Sequence, residues 1–162
     1  MMPAQVAVCG PSACSPGEAR LAYEIGELLA AEGATLICGG GPGVMAAAAR
    51  GAHTNEGLVI GIRPDDDAST ASPYLSAVVV TGMGEARNGI IVKSADAVIV
   101  VGGSWGTMSE LALAMRRGGI PVIQLGGWSV VDESGTPVPG LIRVQTPEEA
   151  VAVALRAEPS GR

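Results

Sequence analysis

Two side chains in this sequence that could carry chemistry are Arg87 and Glu110. A guanidinium offers a planar fork of N–H donors that fits a phosphate, while a carboxylate stabilises developing positive charge or activates water. Glu110 also closes Thr107-Met108-Ser109-Glu110, a T-x-x-E capping box in which the glutamate bonds back to the Thr107 backbone. Near a helix amino end the dipole favours the ionised carboxylate, so Glu110 is expected to serve as an anion and not as a proton donor. For Arg87 the alternative to a phosphate clamp is a surface or interface ion pair.

Four glycine-bearing segments would surround these two residues: Gly10 to Ser15, Gly39 to Gly43, Gly82 to Gly84, and Gly102 to Thr107. Each leads from a β-rich run to the start of a helical pattern, where free backbone N–H groups and the positive end of the helix dipole attract phosphate. The candidate ligand contacts are Gly10, Ser12, Gly40, Gly41, Gly43, Met45, Gly103, Ser104, Trp105, Gly106 and Thr107. Gly41-Pro42-Gly43-Val44-Met45-Ala46 fits G-x-G-x-x-A, though tight turns and close helix packing explain it equally well. Trp105 stands in a chain without Phe; it would stack on the planar ring of a ligand, or else fill a gap at a subunit interface.

Other chemistries fit poorly. Lys93 is the only lysine and no G-x-x-x-x-G-K-[ST] occurs, which excludes a P-loop ATPase. Lys93 also falls at the far end of its helix, remote from the crevice that pyridoxal chemistry would need. His53, the single histidine, reads as a helix-terminal cation. Cys9, Cys14 and Cys38 lack the spacing of a zinc site and are odd in number, so reduced thiols and no metal are expected.

Positioning these loops requires a βαβ scaffold. Strands are read at Val6–Cys9, Thr35–Cys38, Leu58–Ile62, Ala77–Thr81, Ala97–Val101, Pro121–Leu125 and Leu141–Val144. Helices follow Ser15-Pro16-Gly17-Glu18, and are read at Val44–His53, Glu85–Ser94 and Thr107–Arg117, and after Thr146-Pro147-Glu148-Glu149. Residues 126–140 read as an irregular loop or hairpin. The run Ala97–Val101 is apolar on both faces, which suits the middle of a parallel sheet covered by helices. The expectation is an α/β, Rossmann-like open sheet, mostly parallel, of six or seven strands with helices on both faces, in one domain spanning 1–162. Its ligand crevice lies at the carboxyl ends of the strands, where their order reverses.

A length of 162 residues, 48% of them apolar and 16% charged, excludes a disordered chain, and no apolar run reaches the length of a membrane span. The net charge of −6 opposes binding to nucleic acid while allowing one local anion site. Met1-Met2-Pro3-Ala4-Gln5 lacks the basic and apolar regions of a secretion signal, so a cytoplasmic location is expected.

Taken together, Gly39–Met45, Arg87-Asn88 and Gly102–Glu110 resemble the LOG-like family, and the likeness runs from residue 5 to 155. That family includes cytokinin riboside 5′-monophosphate phosphoribohydrolases, proteins once mislabelled as lysine decarboxylases, and a branch of molybdenum-cofactor carriers. Of its hallmark P-G-G-x-G-T-x-x-E, Gly103, Gly106, Thr107 and Glu110 match, with Gly102 at the proline and Ser104 at the second glycine. Its M-H-x-R-K hallmark survives mainly as Arg87, with Gly84 in the histidine's place and Asn88 in the lysine's.

These departures are similar to the cofactor-carrier branch. The resemblance implies a binding protein for a phosphorylated nucleotide-like ligand, with molybdenum cofactor or a nucleotide bound. Assembly as a homodimer or homotetramer is expected, with small residues such as Ala46 to Ala49 at an interface or equally packed onto the sheet. The alternative the resemblance carries is a hydrolase that releases free base and ribose 5-phosphate from a nucleoside 5′-monophosphate, needing no cofactor, with Arg87 and Glu110 cleaving the N-glycosidic bond.

Overall fold

A computed structural model describes residues 2–156. Seven strands form one sheet: β1 (Gln5–Cys9), β2 (Thr35–Cys38), β3 (Val59–Arg63), β4 (Ala77–Val80), β5 (Ala97–Val101), β6 (Val122–Leu125) and β7 (Leu141–Val144). Their order is β4-β3-β2-β1-β5-β6-β7, and all six pairings are parallel. The sheet is thus wholly parallel, beyond the mostly parallel one expected, and its order reverses between β1 and β5.

Helices cover both faces because successive strand residues point to opposite sides. On one face α1 (Pro16–Ala31), α2 (Val44–Thr54) and α5 (Pro147–Arg156) bury Val6, Val8, Leu36, Ile99 and Ile123. On the other, α3 (Asn88–Ser94) and α4 (Trp105–Arg117) bury Ala7, Cys9, Ile37, Val98 and Val100. Helices α1 and α2 touch closely because Gly26 and Gly51 carry no side chain: a Cβ at either would overlap the backbone of Ala48 or Tyr23. Ala48 and Ala49 are accordingly buried within the molecule.

The Ser15 capping box forms as the sequence predicts: the Glu18 N–H donates to Ser15 Oγ at 3.1 Å, and the Ser15 N–H to Glu18 Oε2 at 2.9 Å. The helix expected over 85–94 divides, because Gly82 and Gly84 adopt φ of 60° and 58° and a 3-10 turn at Gly84–Arg87 precedes α3. Residues 126–140 form an irregular excursion closed by one antiparallel bridge, Val131 to Pro137. Strand β4 closes the sheet on one side with Val78, Val79 and Val80 exposed. Among the described residues no helix is long and apolar enough to cross a membrane.

Candidate functional site

The loops after β1, β2 and β5 meet where the strand order reverses. The Val44 N–H donates to the Pro11 carbonyl at 3.1 Å, tying the first loop to the start of α2. Gly43 precedes that helix at φ 70° and ψ −130°, and a Cβ there would overlap the carbonyls of Pro11 and Ser12. Gly10 lies between Val44 and the Val101 carbonyl, which would stand 2.6 Å from an added Cβ. Gly102, at φ 75°, leaves room for the Glu18 carboxylate and the Pro11 ring. Each glycine therefore leaves space that a side chain would fill, and the amino ends of α1, α2 and α4 converge.

Arg87 reaches this region from the 3-10 turn. Its Nη1 donates to the carbonyl of Ile62 at 2.6 Å and to that of Gly39 at 2.9 Å, so the guanidinium is anchored on the tips of β3 and β2. Its Nε is buried with no hydrogen-bond partner. Met45 is buried beside it, with Sδ 2.6 Å from where a Gly39 Cβ would stand.

Glu110 differs from its expected state in two ways. Helix α4 begins at Trp105, two residues earlier than predicted, with Ser104 as its N-cap; the Thr107 N–H donates to Ser104 Oγ at 3.2 Å. The Ser104 hydroxyl and its 2.9 Å contact with Thr107 Oγ1 thus belong to the cap. Glu110 consequently sits in the second turn, outside any capping box. There it is buried, and desolvation pushes its carboxyl above the usual 4.5, against the lowering effects of the Cys9 thiol and the Arg87 charge. In place of a helix-end position, Glu110 is buried in the second turn and accepts a hydrogen bond from Cys9, the last residue of β1.

The remaining candidates divide by exposure. Gly40, Gly41 and Thr107 are buried, Gly103 is half-buried, and Ser12 and Gly106 are exposed. Trp105 is 82% exposed, and its ring meets Trp128 edge-on with centroids 5.0 Å apart. Gly103 makes room for Trp128, whose indole would stand 3.0 Å from an added Cβ. Fully buried Gln124 holds the Trp128 carbonyl through Nε2 at 2.8 Å, while Arg143 donates to Gln124 Oε1 at 3.0 Å.

Sequence reasoning missed Trp128, Cys9 as a partner of Glu110, and Arg63. A second indole in a chain poor in aromatics was a signal for the first. A charged residue ending the apolar run Val59–Ile62, beside the glycine loop, was a signal for the third.

The profile of the SLOG cluster4 family matches residues 3–151. The chain belongs to this family. An uncharacterized protein from Archaeoglobus fulgidus is 42% identical to this SLOG cluster4 member over 147 residues, covering 91% of each chain. Among solved structures, the molybdenum cofactor binding protein of Rippkaea orientalis superposes with a TM-score of 0.86 at 34% identity, over 96% of this chain and 98% of that one. The molybdenum cofactor carrier protein of Chlamydomonas reinhardtii gives 0.84 at 29% identity, over 96% and 97%. The LOG-like resemblance, nearest the cofactor-carrier branch, and the Rossmann-like fold are thereby borne out.

Proposed function

We propose that this protein is a cytoplasmic carrier of a phosphorylated, nucleotide-like ligand of the molybdenum-cofactor class, working as a homodimer or homotetramer. The observation that carries the reading is the likeness to the Rippkaea orientalis protein, at 34% identity along nearly the whole of both chains. In this reading the phosphate sits among the amino ends of α1, α2 and α4. Backbone N–H groups near Gly10, Ser12, Gly41, Gly43, Gly103 and Gly106 meet it, and Arg87 supplies the positive charge. Trp105, with Trp128 behind it, offers an aromatic face to the planar ring of the ligand.

The alternative, cleavage of an N-glycosidic bond, would call on a carboxyl group that faces the sugar. Glu110 is instead buried against Cys9 beneath the loops.

Two measurements on the purified protein decide between the readings. A carrier raises its melting temperature when a phosphate-bearing pterin or nucleotide is added, and releases no free base from any nucleoside monophosphate. Base release that Glu110→Ala or Arg87→Ala abolishes would replace the carrier reading with the hydrolase.

A further inference from the structure

A cleft of about 460 Å³ opens on the outer side of the Gly39–Gly43 turn, walled by Gly41, Pro42, Ala46, Arg63, Thr70 and Ser72, among others. Arg63 is the last residue of β3, and its side chain is only 9% exposed. Its Nη2 is held by the Asp65 carboxylate and by Thr70 Oγ1, the latter at 2.9 Å. Its Nε is buried with no hydrogen-bond partner. Asp65 and Thr70 therefore engage Nη2 and leave Nε, on the same edge, without a partner.

The Nη1 side of the guanidinium adjoins the glycine turn. Arg63 Nη1 would stand 3.0 Å from a Cβ at Gly41, and Cδ the same distance from one at Gly40, where φ is 71°. Arg87 meets the same turn at Gly39. The Met45 side chain runs between them, with Sδ beside Gly39 and Cε beside Gly41. A three-residue glycine segment thus carries a guanidinium at each end, each with an unpartnered Nε. Ser72, whose Oγ accepts from the Tyr74 N–H at 3.4 Å, keeps its own hydroxyl proton for a ligand.

We propose that the Arg63 cleft is a second phosphoryl subsite, so that the protein takes ligands carrying a diphosphate, one phosphoryl group on the Arg87 side of the turn and one on the Arg63 side. Arginine keeps its charge when buried and presents its donors as a fixed fork, which matches phosphoryl oxygens better than neutral groups. The inference rests on the reading of the glycine loops as a phosphate site.

The test is isothermal titration of the full chain with inorganic pyrophosphate and with orthophosphate, in the wild type, Arg63→Gln, and the double variant Thr70→Val, Ser72→Ala. The wild type is expected to prefer pyrophosphate by tenfold or more. Arg63→Gln reduces that preference to threefold or less with orthophosphate affinity unchanged, and the double variant, which keeps Arg63, lowers it at least threefold. An unchanged preference in both variants overturns the diphosphate inference and leaves the Arg87 site standing. A wild type that binds neither anion removes the phosphate reading, and this inference with it. Circular dichroism checks that Arg63→Gln folds; if it does not, the double variant decides.

Discussion

The Cys9 thiol donates a hydrogen bond to the Glu110 carboxyl group, joining the end of β1 to the second turn of α4 directly under the glycine loops. The contact lets a carboxyl group remain in the interior because a donor meets it there. Burial still raises the Glu110 pKa above 4.5, so the folded state holds the proton more tightly than the unfolded chain does. The corresponding stability is complete below pH 4.5 and is lost as pH rises through the folded value. Glu110→Gln, which cannot ionise, is expected to melt higher than wild type at pH 8, with the difference narrowing toward pH 4.5. Calorimetry across that range checks it, and identical melting curves at every pH would contradict it.

Cys38, the last residue of β2, has its thiol pushed up to about 11 by burial, from the ordinary 9.0. The same sign applies: its contribution is present below pH 9 and is lost between pH 9 and about 11. The full loss is about 2–3 kcal/mol, since each tenfold change in proton affinity corresponds to about 1.4 kcal/mol. Urea denaturation at pH 8 and pH 11 is expected to show a smaller alkaline loss in Cys38→Ala than in the wild type, whatever their relative stability at pH 8.

Gly43→Ala places a methyl group against the carbonyls of Pro11 and Ser12 and forces a side chain into a left-handed backbone. The two effects together are expected to cost about 2–4 kcal/mol. Chemical denaturation measures the loss, and a change within 0.5 kcal/mol, roughly the size of an ordinary surface substitution, would show that the loops separate at no cost.

Arg87→Ala frees the carbonyls of Gly39 and Ile62 as well as removing the charge. Hydrogen bonds to a charged group contribute about 1.5–3 kcal/mol each, so a loss of about 2 kcal/mol or more in stability is expected, together with loss of orthophosphate binding. Arg87→Lys, lacking the fork, is expected to recover part of the stability and little of the binding. Full binding in Arg87→Ala would move the phosphate elsewhere.

Trp105 and Trp128 are the two tryptophans of the chain, so tryptophan emission, excited selectively over that of the two tyrosines, reports on that pair alone. Adding a pterin or nucleotide phosphate is expected to lower the emission of wild type and of Trp128→Phe. In Trp105→Phe the response should be much weaker, because the exposed ring is the one that meets the ligand. An equal response in both variants would remove Trp105 from the site.

The strands were legible because the buried runs, such as Ala97–Val101, have both faces covered and leave no polar residue in the middle. The start of α1 was legible because Ser15 and Glu18 satisfy each other locally. The start of α4 was not: Ser104 and Thr107 can both cap, and Ser104 prevails because its hydroxyl reaches the Thr107 N–H and Oγ1 together. Local spacing likewise gave Glu110 a helix-end environment, whereas its second-turn position and the neighbouring β1 thiol remove it from water. Arg63 escaped notice because only the fold brings the glycine turn after β2 beside it and curls Thr70 back onto it, although Asp65 is two residues away.

Strands β2, β1 and β5, from which the three converging loops emerge, are the innermost of the sheet, and from Val6 to Cys9, Thr35 to Cys38 and Ala97 to Val101 their residues are almost wholly enclosed. Such strands are the last to open in hydrogen exchange, so the loops hang from the most persistent part of the molecule. On the carrier reading, a guest bound there would meet loops held by this rigid frame, with little ordering left to oppose capture. Discrimination between guests then shows in how long each one stays, since arrival rates differ little from one to another.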